Sequence, residues 1–152
     1  MAPSKKPIFI LNGPNLDLLG TREPKLYGRR NLKQLEELCR IEAAVSGHDI
    51  VFEQTNAEHV LVELIHRACN EGCGIVINAA ALSYSSYSIV DALKACEIPA
   101  VEVHLTNIHA REESWRSKSL VSPAVRGVIS GLGFEGYALA IAFIAAEAAD
   151  RC

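Results

Sequence analysis

The chain has no excess of basic residues, no acidic tail and no long apolar run. Lys and Arg total 15 against 18 Asp and Glu, for a formal charge of −3. That balance leaves no electrostatic footprint for nucleic acid and no charged arm for a charged partner. The apolar stretch near the N-terminus, Ile8 to Leu11, is far too short for a signal-peptide core or a membrane span. A soluble, cytoplasmic protein is the expectation. Cysteine is sparse and odd in number, with five residues and no C-x-x-C pair. Cys69 and Cys73 lie four apart, yet no second close pair of Cys or His joins them, which argues against a zinc site. Cys39, Cys69, Cys73, Cys96 and Cys152 are expected as reduced thiols acting as small apolar side chains. No linker, internal repeat or low-complexity tract interrupts the chain.

What is present is core. The 152 residues are 49% hydrophobic and 22% charged, which suits one globular domain over 1–152 with residues 1–6 flexible. Five short segments rich in Ile and Val predict strands: Ile8–Leu11, Asp49–Glu53, Gly74–Asn78, Ala100–His104 and Val125–Ser130. Their nearly continuous hydrophobicity is that of strands buried on both faces. Helical spacing fills the gaps, from Leu32 to Ala43, from Val60 to a stop at Gly72, and from Ile89 to a close at Pro99. The last pattern, Gly136 to Ala149, is apolar on most sides, so a neighbour is expected to pack on it as well as the sheet. Alternating strands and helices predict an α/β fold, a flavodoxin-like three-layer sandwich with a five-stranded parallel sheet of order 2-1-3-4-5. In that order a ligand lies beyond the carboxyl ends of the strands, at the switch between the first and third. The segments there are Asn12 to Gly28, Asn78 to Tyr84, and His104 to Arg116.

Those segments carry the polar clusters. The first is long for a strand-to-helix connection and ends near Tyr27, with Gly20 and Gly28 placed to let it move as a lid. A free phenol titrates near ~10 and is a poor base at neutral pH unless positive charge lies close. Arg22 is the local candidate, with Arg116 available from a later loop. The plainer reading is an Asn-Gly-Pro turn beside a surface tyrosine. Glu102 and His104 are two apart on a strand and share a face, so the carboxylate can hold one imidazole nitrogen. A core histidine satisfied by a carboxylate explains that pair equally well. Thr106 and the amides beside it offer an anion site, and Arg116 a planar clamp. Arg111, Glu112 and Glu113 read as a solvated turn. Asn78 faces the expected pocket as a hydroxyl partner, while the serines from Ser83 to Ser86 read equally as caps of the next helix.

Gly131-Leu132-Gly133-Phe134-Glu135-Gly136 matches G-x-G-x-x-G, but no later strand ends in an acid about twenty residues on. A tight turn and close helix packing account for those glycines. His59 and His66 read as surface or interface residues. A phenol and an imidazole together supply a base and an acid, which an elimination beside a carbonyl requires. Schiff-base chemistry needs a lysine in an apolar setting, and no predicted strand contains one. A flavin carrier needs a Ser/Thr/Gly phosphate loop after the first strand, where Asn12 to Leu16 stand. A receiver domain needs acidic residues there instead.

Several stretches in order resemble the type II 3-dehydroquinate dehydratases. They are Asn12-Gly13-Pro14-Asn15-Leu16, Leu19-Gly20-Thr21-Arg22-Glu23-Pro24 through Tyr27-Gly28, Glu102-Val103-His104, Asn107-Ile108-His109-Ala110-Arg111-Glu112, and Gly131 through Tyr137. The likeness runs from Ile8 to about Ala146. It implies dehydration of 3-dehydroquinate to 3-dehydroshikimate without cofactor or metal, in a homo-oligomer, a dodecamer built from trimers. By position it implies Tyr27 as the base, Arg22 as the charge beside it, and Asn15 as holder of a water at the enolate. It makes His104 the acid and Glu102 its orienting group. Asn78, Leu105, Thr106 and Arg116 fall on substrate-binding positions, and Asp91 on an acid that reaches a neighbouring subunit's pocket. Tyr84 stands where the family has a substrate-contacting histidine, Thr106 where serine is commoner, and the segment Arg111 to Arg116 is one residue longer than usual. The alternative these departures raise is a relative with weakened catalysis or altered specificity.

Overall fold

A computed structural model describes residues 4–151. The five apolar segments become β1 (Ile8–Asn12), β2 (Ile50–Gln54), β3 (Gly74–Asn78), β4 (Ala100–His104) and β5 (Gly127–Ser130). All pair in parallel, in the order 2-1-3-4-5 that the sequence predicts. β5 starts two residues later than expected. Val125 follows a 3-10 turn over Ser122–Ala124, and the Arg126 N–H bonds the Ala100 carbonyl before the ladder begins.

The side-chain alternation of β1 explains both layers. Ile8 and Ile10 enter one core with Leu35, Cys39, Tyr137, Ile141 and Ile144. Phe9 and Leu11 enter the opposite core with Leu61, Ile65, Ile89 and Leu93. The first core lies under α2 (Leu32–Val45) and α5 (Glu135–Asp150), the second under α3 (Glu58–Glu71) and α4 (Tyr87–Lys94). A short α1 (Pro24–Tyr27) sits inside the first long loop, where the hydrophobic pattern shows no element. α2 opens on a capping box between Asn31 and Gln34, and α4 on the Ser86 hydroxyl, which accepts from the Ile89 N–H at 3.1 Å. α4 ends at Lys94, well before Pro99. α5 buries Tyr137, Ala140, Ile141 and Ile144 while Leu139 and Phe143 stay exposed.

Gly131 and Gly133 have φ of 91° and 61°, and a Cβ on Gly136 would press on Ile129. The G-x-G-x-x-G segment is a turn with close helix–sheet packing.

The expectation of reduced thiols is corrected at two positions. Cys69 and Cys96 form a disulfide. The last turn of α3 packs beside the chain just after α4 over one core, which brings the two Cα atoms to 5.5 Å, a bridging distance that sequence spacing does not show. Cys39 is fully buried, and that burial, with help from Glu36, pushes its thiol up to about 12. Among the described residues, no helix is long and apolar enough to cross a membrane. Residues 1–3, part of the segment expected to be flexible, lie outside the described residues, whereas Lys5 Nζ donates to the Ser46 carbonyl at 2.7 Å.

Candidate active site

The site grows from the carboxyl ends of β1, β3 and β4. β1 exits through Gly13, whose N–H bonds the Asn78 carbonyl at 2.8 Å. Any Cβ there would collide with the Ala79 carbonyl, so the two exits can touch only because residue 13 is glycine. Beneath this contact lies a buried polar chain. The Tyr137 hydroxyl donates to Asn12 Oδ1 at 2.8 Å and accepts from Asn78 Nδ2 at 3.0 Å. Asn78 Oδ1 accepts the Ala80 N–H at 3.2 Å. Tyr137 is wholly buried, and burial drives its phenol far above the ordinary range, so it stays a neutral linker. Fixing both asparagines from below sets the floor of the pocket, a role for Tyr137 that hydrophobic patterning hides.

Above this floor, one cavity is lined by Asn15, Arg22, Tyr27, Asn78, Tyr84, His104, Leu105, Thr106, Arg111 and Arg116, together with Pro14, Leu16, Ala80, Ala81 and Ile108. Residues from three separate loops therefore meet where the strand order reverses. Asn15 sits in the left-handed region at φ 68°, its N–H held by Asn56 Oδ1 at 2.9 Å. Tyr27 closes α1. Arg22 lies with its guanidinium carbon 5.3 Å from the centre of the Tyr27 ring and its Nε 3.6 Å from Glu23.

The group that reaches the phenol oxygen is Arg111, which donates to it at 3.0 Å and to Thr106 Oγ1 at 3.2 Å. This corrects the reading of Arg111 as part of a solvated turn, since its side chain is only 9% exposed. Burial opposes the Arg111 charge, but the Tyr27 phenol, with Glu113 and Glu23, more than offsets that and raises its pKa. The preceding 3-10 turn, Ile108–Ala110, folds the chain back so that Arg111 faces inward. Neither helical nor strand periodicity describes such a segment.

His104 and Glu102 leave β4 on one face, as two-residue spacing requires. The Glu102 carboxylate holds His104 Nε2 at 2.6 Å, and both groups are buried. Burial alone would raise the Glu102 carboxyl. Hydrogen bonds from His104, Ser119 and Ser122 outweigh it and hold the group below its usual range. Glu102 does not line the cavity; it acts from behind His104. Arg116 stacks on Trp115 at 4.3 Å, and its buried Nε pairs with Glu113 Oε1 at 3.5 Å. Tyr84 stands 6.2 Å from the His104 ring and meets Trp115 edge-on at 5.1 Å. Burial, partly countered by Arg116, pushes the Tyr84 phenol up to about 12. Asp91 is exposed on α4 and does not line this chain's cavity. The Ile108 and His109 amides, near the anion site expected at Thr106, are taken by Ser130 Oγ and Asn107 Oδ1.

The site is a cavity at the topological switch point of a doubly wound α/β domain, lined by a phenol and a carboxylate-backed imidazole. Known proteins narrow this further. Residues 6–145 match the model of the family described as Dehydroquinase class II. A 3-dehydroquinate dehydratase of Sinorhizobium medicae is 50% identical over 134 residues, covering 88% of this chain and 90% of its own. A Thermus thermophilus 3-dehydroquinate dehydratase is also 50% identical, covering 91% and 93%. The crystal structure of a type II dehydroquinase from Propionibacterium acnes superimposes with a TM-score of 0.89 at 40% identity, over 95% of this chain and 99% of the other. The chain belongs to the class II dehydroquinase family.

Proposed function

We propose that this chain, a 3-dehydroquinate dehydratase of the type II class, removes water by anti elimination through an enolate, with Tyr27 as base and His104 as acid. In its phenolate form Tyr27 takes a proton from the carbon beside the ketone. Arg111 at the phenol oxygen and Arg22 beside the ring supply compensating positive charge. The enolate is stabilised through a water held near Asn15. His104 then gives its Nδ1 proton to the departing hydroxyl while Nε2 stays on Glu102. The carbon–oxygen bond breaks, water leaves, and the conjugated enone of 3-dehydroshikimate remains. Both proton transfers use side chains, so the scheme calls for no cofactor, metal or Schiff base.

Substrate is held by Asn78, Leu105, Thr106 and Arg116, whose planar guanidinium lines the cavity and suits an anionic or hydroxyl ligand. Tyr84 replaces a charged contact by a neutral phenol donor. Asp91 serves the cavity of a neighbouring subunit in a trimer-based dodecamer, in the cytoplasm. Sedimentation of the intact protein tests the assembly, and a monomer that turns over at full rate would remove Asp91 from the scheme.

The observation that carries this reading is that Tyr27 and His104 line one cavity, one bonded to a guanidinium and the other to a carboxylate. Mixing the protein with 3-dehydroquinate, without metal or cofactor, tests it through the ultraviolet absorbance of the enone. One observation favours a second reading, a binding protein with weakened turnover or altered specificity: Tyr84 lines the cavity beside His104, braced edge-on by Trp115. Tight binding of 3-dehydroquinate with no enone would establish it.

A further inference from the structure

We propose that Ser119 and Ser122 are positioning residues that fix the Glu102 carboxylate and keep it ionised, and so determine that His104 exchanges its catalytic proton at Nδ1. The proposal rests on the reading of His104 as the acid. It starts from the hydrogen-bond pattern around a carboxylate that is 1% exposed. Oε2 receives His104 Nε2 at 2.6 Å and the Ser119 hydroxyl at 2.6 Å, while Oε1 receives the Ser122 hydroxyl at 2.5 Å. Each oxygen is engaged, so the carboxylate cannot turn away from the ring.

The Ser119 hydroxyl is itself oriented. Its oxygen accepts the Val121 N–H at 3.2 Å, and its hydrogen favours the Glu102 carboxylate at 2.6 Å over the Ser83 carbonyl at 3.5 Å. The segment is anchored by the Leu120 N–H on the Ser83 carbonyl at 2.7 Å and by Val121, which is fully buried. Among the described residues, no lysine or arginine pairs with Glu102. Its charge is met by His104 and two neutral hydroxyls alone.

That composition matters at the moment of proton release. While His104 is an imidazolium, the pair with Glu102 is neutral overall. Once the Nδ1 proton has gone to the leaving hydroxyl, Glu102 is a buried anion facing a neutral ring. Burying a charge without donors is costly, and the two serines supply those donors. Without them the Nε2 proton moves onto Glu102. The ring then holds only a neutral Nδ1–H, which is too weak an acid to expel hydroxide. The other titratable or charged groups sharing this cavity are Tyr84, Tyr27, Arg22, Arg111 and Arg116. Burial and these donors act in opposite directions on Glu102, and the donors prevail.

The test uses the full-length protein with Ser119→Ala, Ser122→Ala, the double variant and Ser122→Thr. Losing one hydrogen bond to a charged group corresponds to roughly tenfold in rate. Each single variant is expected to lose about tenfold in kcat and the double variant more, with KM within about threefold. Ser122→Thr keeps the hydroxyl and recovers most of the rate. The infrared band of a protonated carboxyl, assigned by its disappearance in Glu102→Gln, appears at neutral pH in the alanine variants and is absent from the parent. Unchanged kcat, a loss confined to KM, or no new carboxyl band in either single variant would overturn the proposal. The band is read without turnover. If His104→Ala keeps full activity, the acid assignment has failed, whereas a silent band in the serine variants fails the positioning claim alone.

Discussion

The Arg111 guanidinium donates to the Tyr27 phenol oxygen at 3.0 Å across 84 positions of sequence, while Arg22, five residues away, lies over the ring. Two cations thus flank one phenol in different geometries. A donor on the oxygen opposes charge at the atom where it develops; a cation over the ring acts on the ring's quadrupole at longer range.

Arg111→Ala is therefore expected to lower kcat by about 10- to 100-fold, the range for a hydrogen bond to a charged group. Arg111→Lys should recover little, because one Nη of the planar fork serves both Tyr27 and Thr106. Steady-state rates of enone formation decide it, and a kcat within threefold of the parent would place the essential charge elsewhere.

Tyr27→Phe removes the proposed base and keeps the ring between its two cations. Proton transfer by a placed side chain contributes about 10²–10⁴-fold, so a loss of that order in kcat is expected. The far-ultraviolet dichroism and the affinity for 3-dehydroquinate should stay near the parent's. Activity within tenfold would refute the assignment.

The sheet was legible because five Ile/Val-rich segments stand out, although only β1, β3 and β4 bury both faces while the edge strands β2 and β5 are half-buried, and order 2-1-3-4-5 followed from the alternation with helices. The pocket's place followed from that order. Tyr27 and His104, which line that pocket, and Glu102 behind them are candidates readable from sequence because they sit at or next to regular elements. Arg111, Trp115, Ser119 and Ser122 lie between β4 and β5, where 3-10 turns at Ile108–Ala110, Ser114–Ser117 and Ser122–Ala124 follow no periodicity. Their directions depend on tertiary contacts, such as Leu120 on Ser83, that no local spacing encodes. Tyr137 reads only as a motif position, because a buried aromatic on an apolar helix looks like core until its hydroxyl partners are seen.

Tyr84 makes a prediction about affinity. Its phenol, raised to about 12, stays protonated throughout the neutral range and donates without titrating. Tyr84→Phe should raise KM by about tenfold, the worth of one hydrogen bond, with kcat nearly unchanged. The ratio of the two KM values should be flat between pH 6 and 9. A change in that ratio with pH would mean that another group binds the substrate at this wall.

Glu102 links the site to stability. Its carboxyl is lower in the folded chain than the unfolded reference of about 4.3, because three donors outweigh burial. A depressed acid stabilises the fold above its unfolded value, and that contribution is lost as pH falls through the folded value. Glu102→Gln replaces an acceptor-only group by an amide whose nitrogen must face donors, which costs about 1–3 kcal/mol at neutral pH. A chain of this length loses about 2–4 °C in Tm per kcal/mol. The gap in Tm between parent and variant should be full at pH 7 and shrink below about pH 4, as the parent carboxyl takes up its proton. A gap that widens in acid would reverse the sign of the shift and remove the serines as its cause.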